Sequence, residues 1–171
     1  MSVSIAIRVA GPDDALAVER VLDDSYPALM AGAYDAALLA RALPRITRAN
    51  PALLRAGTYY LAEAGSDPVG CGGWSVERPG TAVVEPGIGH VRHFATAAAW
   101  AGRGVGRAAR CEAAARAAGL GVFECYASLN GEAFYAALGF DRIGPVTVPM
   151  GPGLGFPSIH MRRRIPERDP A

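Results

Sequence analysis

The sequence has no lysine. All 17 of its basic residues are arginine, which beside the abundant alanine reads as a GC-rich coding bias rather than as a functional device. Cysteine is scarce as well. Cys71, Cys111 and Cys125 form an odd, scattered set without CxxC spacing, so neither a disulfide framework nor a zinc site is indicated. Each is expected to serve as a small buried apolar residue. Charge excess is missing too: 17 basic against 16 acidic residues leave a formal charge of +1, with no electrostatic reason to bind nucleic acid or an anionic membrane. No apolar run approaches the length of a membrane span. The start, Met1-Ser2-Val3-Ser4, lacks the basic region and long apolar run of a signal peptide, so a cytoplasmic location is expected. Internal repeats and dividing linkers are also absent. A chain of 171 residues, 51% of them hydrophobic, then predicts one compact domain over residues 1–171.

What is present reads as alternating strands and helices. Ile5, Ile7 and Val9 alternate with Ala6 and Arg8 and predict a strand. Gly11-Pro12-Asp13-Asp14 predicts a helix start, and the stripe Leu16, Val18, Val21, Leu22 carries that helix to Tyr26, where Pro27 discourages continuation. A second helix is predicted from Asp35 to Leu43, interrupted by Pro44, and a short one from Pro51 to Arg55. Thr58–Ala64 and Val69–Val76 flank the turn cluster Gly65-Ser66-Asp67-Pro68 and predict a hairpin. Gly70, Gly72 and Gly73 inside the second of these strands point to a bulge or a close backbone neighbour. Glu77–Gly89, with two prolines and two interior glycines, predicts a long loop. Asp141–Val148 and Phe156–Arg163 predict the two last strands, and the polar tail after Ile165 is expected to fray.

The chemistry concentrates between His90 and Gly139. A strand from His90 to Thr96 feeds Ala101-Gly102-Arg103-Gly104-Val105-Gly106-Arg107-Ala108, which opens a helix reaching about Ala118. The first turn of a helix presents unpaired N–H groups and partial positive charge. Gly104 and Gly106 leave those amides accessible to a phosphate, and Arg103 and Arg107 add full charge beside them. This predicts a diphosphate cradle. A second strand, Val122–Ser128, leads to Asn130-Gly131-Glu132-Ala133-Phe134-Tyr135-Ala136-Ala137-Leu138-Gly139-Phe140.

Together and in this order, the two motifs resemble those of the GNAT family of acyl-CoA-dependent N-acyltransferases, over roughly a third of the chain. The resemblance implies a single-domain α/β fold, with a mixed, mostly antiparallel sheet of about six to seven strands and helices on both faces. It also implies an enzyme: an N-acetyltransferase carrying an acetyl group from acetyl-CoA to a primary amine of a small molecule or peptide, by direct attack in a ternary complex. No metal is required. Its implied CoA contacts are Phe94, Ala95 and Thr96, whose strand backbone would pair with the pantetheine amides, then Gly102, Arg103, Gly104, Val105, Gly106 and Arg107, and finally Asn130 and Phe134. One departure is Ala101, where the family usually has Gln or Arg, so weaker CoA binding is implied.

Acyl transfer to an amine requires a base, oxyanion stabilisation and protonation of the leaving thiolate. Tyr135 matches the family position of a general acid toward the CoA sulfur, and a phenol with an ordinary pKa of about 10 is protonated at neutral pH. Without the motif it reads as a core aromatic beside Phe134, as Asn130 reads as a helix cap. The general base is open among His90, Glu85 and Glu77. His90 falls where several protein-acetylating members of the family place a glutamate, and imidazole titrates near neutrality. Strand alternation puts His90, Arg92, Phe94 and Thr96 on one face and Val91, His93 and Ala95 on the other. His160, in a terminal strand, receives no role.

Two alternatives accompany this reading. Gly104-Val105-Gly106-Arg107-Ala108-Ala109 also satisfies GxGxxA, the fingerprint of nicotinamide-dinucleotide-binding oxidoreductases. It lies past the middle of the chain, however, not on the first turn of a βαβαβ half. The other is a non-catalytic acyl-CoA sensor on the same fold. The acceptor's identity is not encoded legibly, and the commonest assembly for such folds is a homodimer.

Overall fold

In the computed structural model, residues 4–102 and 109–167 are described. The chain runs β1 (Ile5–Val9), α1 (Ala15–Met30), α2 (Ala36–Ile46), α3 (Pro51–Arg55), β2 (Tyr59–Ala64), β3 (Asp67–Ser75), β4 (Ile88–Thr96), α4 (Ala109–Ala117), β5 (Val122–Ser128), α5 (Glu132–Ala137), β6 (Asp141–Pro149) and β7 (Gly155–Arg164). The strands form one seven-stranded sheet in the order β1-β2-β3-β4-β5-β7-β6. Only β4 and β5 run parallel; every other neighbouring pair is antiparallel. That pattern is the mixed, mostly antiparallel sheet expected, and it is unlike the parallel βαβαβ half of a dinucleotide-binding oxidoreductase.

The two sheet faces bury different helices. Phe123, Cys125 and Ala127 of β5 and Ile159 and Met161 of β7 pack with Cys111 and Ala115 of α4, with Tyr135 and Leu138 against them. On the other face, Val18, Val21 and Leu22 of α1 and Leu53 and Leu54 of α3 cover Tyr59, Leu61 and Cys71. Leu39, Ala42 and Ile46 of α2 meet Phe156 there. All three cysteines are free and buried, and burial pushes each thiol up to about 12. They act as small apolar groups, as their scatter in sequence implied.

Two helices are longer than the sequence predicts. α1 continues through Pro27 to Met30, and α2 through Pro44 to Ile46. Both prolines are exposed, so the carbonyl each leaves unpaired faces solvent. The opposite sides of the same turns are buried, through Met30 in α1 and Ala42 and Ile46 in α2. Apolar burial of about 25 cal/mol per Å² outweighs the local penalty of proline at these helix ends. Ile165, the last residue before the polar tail, is buried, and its N–H donates to Gly121 O at 2.9 Å.

The glycines of β3 fulfil the expectation of a bulge. Against Gly70-Cys71-Gly73, β4 sets Thr96, Ala95 and Arg92, so β4 carries one extra residue. His93 lies there with φ 47°, a left-handed conformation uncommon for a side chain of its size. Hydrogen bonds to its carbonyl, from Tyr59 Oη at 3.0 Å among others, hold it. The bulge breaks the alternation expected for β4. Arg92 still faces Ser75 on the side of His90, but Phe94 packs with Val91 on the opposite face, its ring lying over Gly72.

Candidate active site

β4 and β5 stay paired for three residues only, Ile88, Gly89 and His90 with Val122, Phe123 and Glu124. Beyond them the strands part. β4 remains bonded to β3 on its far side as far as Thr96, so the edge of Phe94, Ala95 and Thr96 that faces β5 lacks a strand partner among the described residues. An unpaired strand edge is a template for an extended, amide-bearing ligand. From the opposite wall, β5 ends in a 3-10 turn, Leu129–Gly131, that carries exposed Asn130 into α5. The end of β5 is fixed by Tyr34, whose hydroxyl accepts from Leu129 N and donates to Pro157 O, both at 2.8 Å.

α5 presents Phe134 and Tyr135 differently. Phe134 is 41% exposed, so its ring lies at the surface rather than in the core. Tyr135 is half-buried between it and Phe140, with ring centroids 5.2 and 5.4 Å away and edge-on. Burial pushes its hydroxyl well above the ordinary value, with Cys125, Tyr26 and Cys111 acting the same way. The group is therefore a protonated phenol across the neutral range, able to donate. Tyr26 reaches the gap from α1 and donates to Phe94 O at 3.5 Å, a contact the sequence reading missed because it took Tyr26 only as a helix end.

His90 stands on the other face, where the two strands still pair. It is 1% exposed. Burial lowers its basicity, while the Glu124 carboxylate acts in the opposite direction. The competing acids are placed less favourably. Glu85 is engaged by Arg78 in an ion pair, and Glu77 is exposed, its carbonyl accepting from Ser75 Oγ at 2.8 Å. The Tyr135 ring thus packs on the α4 face of the sheet and His90 lies on the other, while the Tyr135 hydroxyl is near enough to Tyr26 to be affected by it.

Gly102 lies in an exposed turn with φ 75°, and a Cβ there would meet nothing within 4 Å among the described residues. Arg103, Gly104, Val105, Gly106 and Arg107, the predicted diphosphate cradle, lie outside the described residues. Among the described residues, no group of three or more His, Cys, Asp or Glu side chains could hold a metal. No helix there is long and apolar enough to cross a membrane.

Residues 55–142 match the family described as the acetyltransferase (GNAT) domain, just over half of the chain, and the match spans the gap, its strand edge and α5. The chain belongs to the GNAT family. It is an acyltransferase, and its family draws the acyl group from a CoA thioester and passes it to an amine acceptor. Among solved GNAT structures, it is similar to a GCN5-related N-acetyltransferase from Rhodopseudomonas palustris, with a TM-score of 0.72 and 22% identity, over 96% of this chain and 98% of that one. The PaiA N-acetyltransferase of Thermoplasma acidophilum, solved with coenzyme A, gives 0.72 at 16% identity over 94% and 99%. N-acetylglutamate synthase of Neisseria gonorrhoeae, solved with coenzyme A and N-acetyl-glutamate, gives 0.57 at 15%, over 98% of this chain and 36% of that one. At these identities the likeness is one of fold. No curated protein matches the chain.

The bulge residue itself carries a stability consequence. The His93 imidazole is pushed down to about 4, first by burial and then by Arg92, with a hydrogen bond to the Ile46 backbone acting the other way. An unfolded histidine titrates near 6.5. Below that pH the unfolded chain binds a proton that the folded chain refuses, so stability falls as pH drops from about 6.5 toward 4. Asparagine tolerates the left-handed backbone. His93→Asn should therefore flatten this part of the profile of melting temperature against pH; an unchanged slope would place the acid sensitivity elsewhere.

Proposed function

We propose that this protein is an N-acetyltransferase that moves an acetyl group from acetyl-CoA to a primary amine of a small molecule or peptide. The amine attacks directly in a ternary complex, within one domain spanning residues 1–171. The observation that carries this is the parting of β4 from β5 after His90, which leaves the Phe94–Thr96 edge without a strand partner among the described residues, with Phe94 and Tyr135 packed against the same cluster. In the proposal, the backbone of Phe94, Ala95 and Thr96 binds the pantetheine amides, and Asn130 and Phe134 flank the same arm. Gly102 and the turn Arg103-Gly104-Val105-Gly106-Arg107 hold the diphosphate, backbone amides compensating for Ala101. Tyr135 donates its hydroxyl proton to the departing thiolate. His90, reached from the opposite face, takes the proton of the amine. Its neutral state, favoured by burial, is the one a base needs.

The acceptor side is bounded by α2 and the β6–β7 turn, which Arg41 and Arg45 tie together through the carbonyls of Gly153 (2.9 Å) and Met150. A cytoplasmic location, and a homodimer with neither nucleic acid nor membrane as partner, complete the reading. The near-zero net charge supports its second part.

A thermal-shift titration tests the ligand class. At about 100 times its Kd, acetyl-CoA adds about 2.7 kcal/mol by mass action. For a chain of this size that raises the melting temperature by roughly 5–10 °C. NAD and NADP should give no shift. A shift with the nicotinamides and none with CoA would reverse the assignment.

A further inference from the structure

A row of polar residues crosses the sheet on the face of His90. In register, Ser75 of β3 meets His90 of β4, His90 meets Glu124 of β5, Glu124 meets Arg162 of β7, and Arg162 meets Asp141 of β6. Side chains at paired positions stand next to one another on one face. His90 and Glu124 are therefore buried neighbours, 1% and 2% exposed. Burying two ionisable groups side by side is costly unless each charge finds a partner.

Glu124 has found a hydrogen-bond partner at one carboxylate oxygen, and His90 Nε2 has found none. Arg162 Nε donates to Glu124 Oε1 at 2.9 Å, and His160 Nε2 lies 3.1 Å from Oε2. Burial alone would raise the Glu124 carboxyl, but the bond from Arg162 and the close approach of His160 outweigh it and hold it below the ordinary range. His90 Nε2 is buried without a hydrogen-bond partner among the described residues, and so are Glu124 Oε2 and His160 Nε2, whose 3.1 Å approach lacks hydrogen-bond geometry. Of the other charges around His90, the pair Arg78–Glu85 offsets itself and Arg92 remains, opposing Glu124. Arg78 and Arg92 oppose an imidazolium, and Glu85 favours one, but Glu85 is itself paired with Arg78. Glu124 is the remaining carboxylate beside the ring.

We propose that Glu124 is the positioning residue that allows buried His90 to accept the acceptor's proton, and that His160 competes with His90 for the same carboxylate. The step is a proton transfer only: the amine nitrogen gives up a proton, a ring nitrogen of His90 binds it, and the charge created lies one strand from Glu124. The inference rests on the reading of His90 as the base.

Side-chain NMR titration of His90, His93 and His160, assigned with single His→Gln variants, tests it without an acceptor. Glu124→Gln keeps the shape and removes the charge, and should lower the His90 midpoint by about one pH unit. His160→Phe keeps a ring for the edge contact with Tyr126, at 5.4 Å between centroids, and frees the carboxylate. It should move the His90 midpoint upward, an opposite sign that a packing role would not produce. A His90 midpoint unmoved in Glu124→Gln overturns the inference. Should that variant fail to fold, an unmoved midpoint in His160→Phe overturns it instead. With an accepting amine, Glu124→Gln should lower kcat about tenfold at neutral pH and leave the KM for acetyl-CoA unchanged. Full turnover in His90→Gln would remove the base and the catalytic part of this inference, while the CoA thermal shift would still stand for the acyltransferase reading.

Discussion

Tyr135→Phe should lower turnover by about 10² to 10⁴, the usual contribution of a positioned general acid, with acetyl-CoA binding nearly unchanged. The substitution keeps the ring and both edge-on contacts, to Phe134 and to Phe140, so packing energy should be conserved. It removes one hydroxyl, and that hydroxyl has no hydrogen-bond partner among the described residues whose loss would strand a buried group. Stability should therefore stay within about 0.5 kcal/mol. Steady-state kinetics and a melting curve on the same preparation separate the outcomes. A large fall in kcat with an unchanged melting temperature supports the acid. Full activity would leave Tyr135 as a core aromatic only.

Gly73→Ala should be among the most damaging single-methyl changes in the chain. An added Cβ would lie 2.3 Å from Thr58 O and 2.6 Å from Tyr59 Cα. Both are backbone atoms of the neighbouring strand segment, where Trp74 N also donates to Thr58 O at 3.1 Å. Neither can rotate away, so the pairing of β2 with β3 must shift. Overpacking of this kind costs roughly 3 kcal/mol, which for a chain of this size lowers the melting temperature by about 10 °C. Gly144→Ala is the control, because a Cβ there meets nothing within 4 Å. Equal melting temperatures for the two variants would show that the strands accommodate the methyl group.

Several strands were legible because their signals are local. Alternation located β1, turn residues located the β2–β3 hairpin, and three glycines in β3 announced the irregularity that the structure resolves into a bulge on β4. What escaped was decided at a distance. Pro27 and Pro44 argue against helix within their own turns, and only contacts with other elements keep those turns helical. The left-handed residue of the bulge is a histidine, which nothing in its neighbours marks, so Phe94 was expected on the wrong face. Glu124 and His160 lie 36 residues apart in sequence and meet only because β5 and β7 pair in one register. His90 could be singled out by family position, but not the carboxylate beside it. The diphosphate turn, the plainest motif in the sequence, lies outside the described residues.

The short pairing of β4 with β5 bears on how the molecule is joined. Three residue pairs connect a half-sheet of β1–β4 to one of β5–β7. Tyr34 adds a stitch from the α1–α2 connection to the ends of β5 and β7. A long ligand threaded between β4 and β5 would therefore do more than occupy a surface. It would lengthen the seam, supplying amide partners where the described residues offer no strand, and stiffen the two halves against each other. Amide hydrogen exchange along Phe94–Thr96 would be the local gauge of that splint, slowing as the gap fills, while amides already bonded between β5 and β7 would change little. On this proposal the bound cosubstrate would be, for as long as it stays, a strand of the protein.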